Sequence, residues 1–264
     1  MPELPEVETV VRSLAPYVTG RMIRAIEVHS SPIRRGEVER AGGRRIVRVR
    51  RAGKFIVFEL DQGYLCVHLG MTGKLLAAPQ RGKHTRACIR LDDGMVCFDD
   101  PRMFGNIEFS ERLPERVERL GVEPLEVDCE RFQQMLRLRR GGVKALLLNQ
   151  KFLRGVGNIY ADEALHLAGV HPLERASGLS APRARRLWEA LRTVLTEAIA
   201  RGGSSVSDYV DAEGRQGWFQ LMHRVYRRHG EPCLTCGTII RRILVAQRGT
   251  HFCPRCQRQR TRAR

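Results

Sequence analysis

The sequence predicts an α+β chain in which a β-rich N-terminal half gives way to a helical half and then to a small closing module. Three observations carry that reading. Short apolar runs punctuated by Gly and Asp fill the first part of the chain. From Phe132 onward the apolar residues recur at helical spacing instead. Four of the eight cysteines then fall in two close pairs near the end. At 264 residues the chain is long enough for one large domain or two modest ones with real cores.

In chain order, Val7, Val10, Val11 and Leu14 place an amphipathic helix over residues 3–15, stopping near Pro16. Ile46 to Val49, Phe55 to Leu60, Tyr64 to Leu69, Cys88 to Leu91 and Met95 to Phe98 read as strands, with Asp92-Asp93-Gly94 as a hairpin turn. They define an N-terminal domain, a sandwich or barrel, over residues 1–115. Phe132 to Leu138, Val143 to Leu148, Ile159 to Leu167 and Leu187 to Ile199 read as helices. The last carries an apolar stripe of Leu187, Leu191, Val194, Leu195 and Ala198, with Ser180 and Pro182 as start signals. These helices make a second segment over residues 116–224. Within it, the polar stretch from Gly202 to Gly217 is too long for a mere connector and is expected to be functional or mobile. A cysteine-bearing module and a basic tail occupy residues 225–264.

Lys and Arg number 46 against 29 acidic residues, a formal net charge of +17. The arginines cluster at 44–51, 137–140, 183–186, 224–228 and 258–264, which favours a polyanionic partner, nucleic acid first, over a merely basic surface. No segment is both apolar on one face and basic on the other, and none approaches the ~20 apolar residues that span a bilayer, so no membrane role is expected. The opening MPELPEVETVV is acidic where a signal peptide is basic, which points to the cytoplasm, where thiols stay reduced. Cys66, Cys88, Cys97 and Cys129 then read as small buried hydrophobes.

The remaining cysteines are more specific. Cys233-x2-Cys236 and Cys253-x2-Cys256, sixteen residues apart, supply four thiolates in two knuckles, the donor set of a tetrahedral zinc site. A redox motif would need only one such pair beside a helix. The set leaves no open ligand position, so one structural Zn²⁺ is expected, its binding driving the folding of a segment too small to fold alone. Residues 239–247 and 250–252 are expected to form a ribbon turning at Arg248-Gly249, with Arg248 placed to meet a phosphate.

At the other end, removal of Met1 would expose Pro2 as a secondary amine, far more of it neutral near pH 7 than a lysine would be. Glu3 and Glu6, three apart, would stand on its side of the first helical turn. An amine beside two carboxylates suits Schiff-base chemistry, although acidic residues at a helix start also serve simply to complement the helix dipole.

Motifs along the whole chain decide between these readings. MPELPEVET, HLGMTG at 68–73, DPRMFG at 100–105, GVGNIYADEAL at 155–165, GWFQ at 217–220 and QRGTHFCPRCQ at 247–257 stand in one order, and the chain resembles the formamidopyrimidine-DNA glycosylase family. The resemblance implies an N-terminal β-sandwich with flanking helices, a helix–two-turn–helix, a zinc ribbon, and DNA held in a cleft. It implies a monomeric, nucleoid-associated bacterial enzyme that takes oxidised purines and abasic sites in double-stranded DNA, joining base excision to strand cleavage by β- and δ-elimination. By the same resemblance, Pro2 is the nucleophile, Glu3 the acid that opens the sugar ring, Glu6 a supporting carboxylate and Lys54 a lysine approaching the lesion. Met71, Arg102 and Phe104 match the side chains inserted into the duplex. Asn158, Arg248 and, more weakly, His68 match phosphate contacts. The 202–217 stretch resembles the loop that folds over a flipped oxidised purine. Two departures stand out: Met103 where many members carry a basic residue, and Arg227 where a glycine commonly sits, which predicts a differently routed turn.

Three other readings are weaker. An endonuclease VIII-like enzyme acting on oxidised pyrimidines is disfavoured by Leu4, Val7 and the intact insertion set. A non-catalytic DNA-binding protein would not need Pro2 and Glu3. A tautomerase using an N-terminal proline would have no use for the arginines or the ribbon.

Overall fold

The computed structural model describes residues 1–77, 80–205 and 209–259. Residues 206–208 of the glycine-bearing stretch and the last part of the basic tail lie outside the described residues. The chain packs as two units, residues 1–120 with 198–220, and residues 121–197 with 221–264.

The first unit opens with helix α1 (Leu4–Val18), whose Val7, Val10, Val11 and Leu14 are buried. The helix runs through Pro16 rather than stopping there. In the last turn a proline forfeits only its own bond to the carbonyl one turn back, so Val18 can still be added to the buried face. Nine strands follow: β1 (Ile23–Val28), β2 (Arg34–Arg35), β3 (Ile46–Ala52), β4 (Phe55–Leu60), β5 (Tyr64–His68), β6 (Lys74–Ala77), β7 (Thr85–Leu91), β8 (Met95–Asp99) and β9 (Asn106–Ser110). They form a four-stranded sheet, β1-β7-β8-β6, and a five-stranded sheet, β2-β9-β5-β4-β3. Ile26, Ile89 and Phe98 from the first sheet share one apolar cluster with Phe58, Leu65 and Ile107 from the second and with α1. The unit is therefore a sandwich and not a barrel. Strands β1, β2, β6 and β9 escape a sequence reading because they are short or broken by charge, as in IRAIEV and NIEFS. Helix α2 (Glu115–Glu118) covers the outer face of the larger sheet, with Val117 against Ala52, Val57 and Cys66.

The 202–217 stretch, grouped by sequence with the helices, packs in this first unit. The Ala212 N–H donates to Ser13 Oγ at 3.0 Å, and the Ala77 N–H donates to the Ala212 carbonyl at 2.9 Å.

The second unit holds α3 (Cys129–Arg137), α4 (Val143–Leu148), α5 (Asn158–Leu167) and most of α6 (Ala181–Ala200), followed by the ribbon strands β10 (Arg241–Val245) and β11 (Arg248–Phe252). Asp128 caps α3, accepting from the Arg131 N–H at 2.8 Å. The expected ribbon turn at Arg248-Gly249 is corrected by the register. Val245 pairs with Arg248, so the chain reverses at Ala246-Gln247, both at positive φ as a two-residue hairpin turn requires. A Cβ at Gly249 would lie 2.8 Å from the Nε of Arg242, an exposed side chain free to shift. Arg227 has φ +60, so its backbone takes the left-handed conformation that glycine adopts most easily.

Candidate active site and nucleic-acid interface

Pro2, Glu3 and Glu6 lie together at the start of α1, all buried, with only 4% of Glu3 and 2% of Glu6 exposed. Glu6 Oε2 accepts the Glu3 N–H at 2.8 Å, closing a capping turn that fixes the first residues of the helix. Its other oxygen, Oε1, accepts the Ser204 N–H at 2.7 Å, and the Tyr209 hydroxyl donates to the Glu6 carbonyl at 3.1 Å. Glu6 therefore joins the chain's start to the glycine-bearing stretch. Gly203, at φ +81, sits so close that a Cβ would lie 2.8 Å from Glu6 Oε1.

A second group gathers at one end of the five-stranded sheet. Lys54, 7% exposed, stands in the turn between β3 and β4. Its neighbour Phe55 pairs across the strands with His68, and the two rings lie 4.8 Å apart. His68 Nδ1 accepts the Gly70 N–H at 3.1 Å, which leaves Nε2 as the donor of the neutral ring. Burial, reinforced by the positive charges of Lys54, Arg116, Arg35 and the chain's amino terminus, pushes the His68 pKa down to about 4. The ring is thus neutral at pH 7, and the N-terminus, Lys54 and His68 are electrostatic neighbours.

Two loops continue from this sheet end. Met71 in the loop after β5 is 44% exposed, and Phe104 before β9 is 55% exposed. The Arg102 guanidinium lies over the Phe104 ring, 4.6 Å from its centre. Met103 has φ +56, and its sulfur accepts from the Ser30 hydroxyl at 3.1 Å. Large apolar and cationic side chains held outward on neighbouring loops suit insertion between bases.

In the second unit, Asn158 opens α5 after Gly157, and its Nδ2 donates to the Gly249 carbonyl at 2.9 Å. Arg248, exposed, begins β11 one residue away. One turn along α5, Asp162 Oδ2 accepts the His251 N–H at 2.9 Å, and Oδ1 pairs with Lys144 Nζ at 2.6 Å, both side chains fully buried. Lys144 also donates to Thr250 Oγ1 at 2.6 Å. Glu163 accepts the N–H groups of Arg224, Val225 and Tyr226 at 2.8 to 3.0 Å, fixing the entry to the ribbon. Burial raises its pKa, opposed by those three bonds.

Cys233, Cys236, Cys253 and Cys256 bring their sulfurs within 4.8 Å of one another. Zinc–thiolate bonds of ~2.3 Å in a tetrahedron separate sulfurs by about 3.8 Å, so the set fits one structural Zn²⁺. The Cys236 thiol, accepting hydrogen bonds at Thr238, is lowered to about 6, whereas burial raises the thiols of Cys253 and Cys256.

Sequence reasoning missed Asp100, Thr72, Ser204, Tyr209, Lys144, Asp162 and Glu163. Only the acidic pair in NIYADEAL, set in an otherwise apolar helix start, was a signal that could have been read.

Family models agree with this arrangement. Residues 1–107 match the formamidopyrimidine-DNA glycosylase N-terminal domain, residues 120–210 the helix–two-turn–helix domain of the same glycosylase, and residues 230–259 a zinc finger found in that protein and in an isoleucyl-tRNA synthetase. The formamidopyrimidine-DNA glycosylase of Solibacter usitatus is 57% identical over 265 residues, covering 98% of this chain and 100% of its own. That of Thermus thermophilus is 47% identical, covering 97% and 98%. A crystal structure of the MutM (Fpg) protein from Thermus thermophilus aligns with TM-score 0.89 at 44% identity, covering 97% of this chain and 98% of its own. The Lactococcus lactis Fpg in complex with DNA containing an abasic site aligns with TM-score 0.88 at 35% identity, covering 97% and 100%.

Proposed function

The chain belongs to the formamidopyrimidine-DNA glycosylase family, and on that premise we propose that it is a DNA glycosylase and abasic-site lyase that excises oxidised purines from duplex DNA. The observation that carries this reading is the start of α1, where two buried carboxylates, Glu3 and Glu6, follow a buried proline one residue from the amino terminus. Once Met1 is removed, the Pro2 amine attacks C1′ of the damaged nucleotide while Glu3 protonates the sugar ring oxygen. The base departs and a Pro2 iminium remains. Its electron-withdrawing pull acidifies the sugar protons, so both phosphates leave in successive β- and δ-eliminations, and hydrolysis of the imine frees the amine. Glu6 holds the amine's helix turn and the 203–204 backbone in register. Lys54 sits among the cationic neighbours of His68, suited to the lesion's phosphates or base.

Met71 fills the space the lesion vacates, Phe104 wedges the stack, and Arg102 meets the orphaned partner base. Arg102 has donors only, so it favours cytosine, whose pairing edge carries acceptors, over adenine. Asn158, Arg248 and His68 are assigned to phosphates. The zinc ribbon takes no chemical part: it carries Arg248. The protein is read as a monomer of the bacterial cytoplasm, acting on nucleoid DNA. Among the described residues no helix is long and apolar enough to cross a membrane.

Single-turnover excision on matched duplexes tests this. Removal of 8-oxoguanine opposite cytosine should greatly exceed removal opposite adenine. Equal rates would remove Arg102 from its role, and a preference for thymine glycol would assign the enzyme to oxidised pyrimidines instead.

A further inference from the structure

We infer that Thr72 and Asp100 lock the Met71 loop and the Arg102–Phe104 loop into a single wedge, which makes both of them positioning residues for insertion into DNA. The inference rests on the proposed function. The two loops leave different sheets: the Met71 loop follows β5 of the five-stranded sheet, and Asp100 follows β8 of the four-stranded sheet. Asp100 is fully buried at a surface otherwise made of exposed side chains. Its Oδ1 accepts from the Thr72 hydroxyl at 2.6 Å and from the Arg102 N–H at 3.2 Å, and its Oδ2 accepts from the Gly105 N–H at 2.8 Å. Its backbone is tied as well, the N–H donating to the His84 carbonyl at 3.0 Å and the carbonyl accepting from Arg86 Nε at 2.9 Å.

One carboxylate therefore grips both ends of the Arg102–Phe104 loop and, through Thr72, the residue after Met71. A backbone contact repeats the link. Gly70, at φ +60, packs so closely on the other loop that a Cβ would lie 2.5 Å from the Gly105 nitrogen. Loops joined twice present three side chains at one fixed spacing. Insertion then does not have to order each loop separately, and misplacement of such a group by an ångström can cost ~100-fold in rate.

Thr72→Val keeps the shape and removes the donor. Excision of 8-oxoguanine from a duplex should slow by about ten- to a hundredfold. The rise in fluorescence of a 2-aminopurine placed beside the lesion, which reports unstacking, should slow by the same factor. Cleavage at a preformed abasic site should slow less, and Thr72→Ser, which retains the hydroxyl, should restore both rates. A purely structural role would instead lower the melting temperature and slow both substrates alike. Should Thr72→Val fail to fold, Thr72→Ala compared with Thr72→Ser gives the same reading. Wild-type unstacking and excision rates in Thr72→Val, or a Thr72→Ser as slow as Thr72→Val, would overturn the coupling. A wild-type protein that leaves the lesion in place would defeat the proposed function, and this inference with it.

Discussion

The two units hold their outward side chains by different means. The N-terminal unit builds on a sandwich whose apolar cluster draws on α1 and both sheets, and its loops are tied down by carboxylates that accept backbone N–H groups. The ribbon has a core of little more than Val225, Ile240, Cys233 and Cys253. It compensates with metal-binding thiolates and with two further buried carboxylates, Asp162 and Glu163, which bind its backbone from α5. Both units thus share one local device, a buried carboxylate at the root of a functional loop. The sandwich and the ribbon differ in what supplies the bulk of the folding free energy, apolar burial in one and metal ligation in the other.

Removing the zinc should therefore break the symmetry most strongly. Binding of a structural zinc is worth ~10–16 kcal/mol in zinc-finger peptides. Chelation or Cys233→Ser should expose the amides of residues 225–259 to hydrogen exchange while those of β4, β5 and β8 stay protected. Equal deprotection of both regions would show that the sandwich depends on the metal too.

Asp162→Asn should come next. It removes the carboxylate paired with the fully buried Lys144, at a cost of about 3–5 kcal/mol in denaturant unfolding. Replacing both partners with apolar residues of similar volume should recover most of that loss. No loss in the single variant would mean that the ion pair does not set the stability of this region.

Gly203→Ala is the corresponding change in the N-terminal unit. A Cβ 2.8 Å from Glu6 Oε1, on a backbone at φ +81, should cost about 1–3 kcal/mol and slow excision by disturbing the carboxylate that seats Glu3. Unchanged stability and rate would detach the glycine-bearing stretch from the active site. The smallest effect belongs to Arg248→Ala, which should leave stability alone and reduce the slope of log affinity against log salt by about 0.9, one phosphate contact. A slope equal to that of the unmodified protein would take Arg248 off the DNA.

The zinc site was legible from spacing alone, because four cysteines at two matched intervals form the donor set of a tetrahedral zinc site. The strands made of short apolar runs, such as Phe55–Leu60, were legible for the same local reason. Pro2 and Glu3 were not. A carboxylate at a helix start serves the dipole equally well, and only the resemblance in ordered motifs chose between the two readings. Asp100 and Lys144 were hidden more deeply, since their roles come from partners far along the chain: Lys144 and Thr250 are 106 residues apart. The ribbon turn was misread because a glycine signals a reversal, whereas here the positive φ angles fall on Ala246 and Gln247.

The central claim is that the amine of Pro2, followed by the buried carboxylates of Glu3 and Glu6, is the nucleophile. Borohydride reduction during turnover on a duplex carrying one 8-oxoguanine tests it most directly. The account predicts a covalent adduct that peptide mapping places on Pro2, and its absence when an uncleavable N-terminal extension blocks the amine. An adduct mapped to Lys54, or an undiminished adduct in the blocked protein, would contradict it.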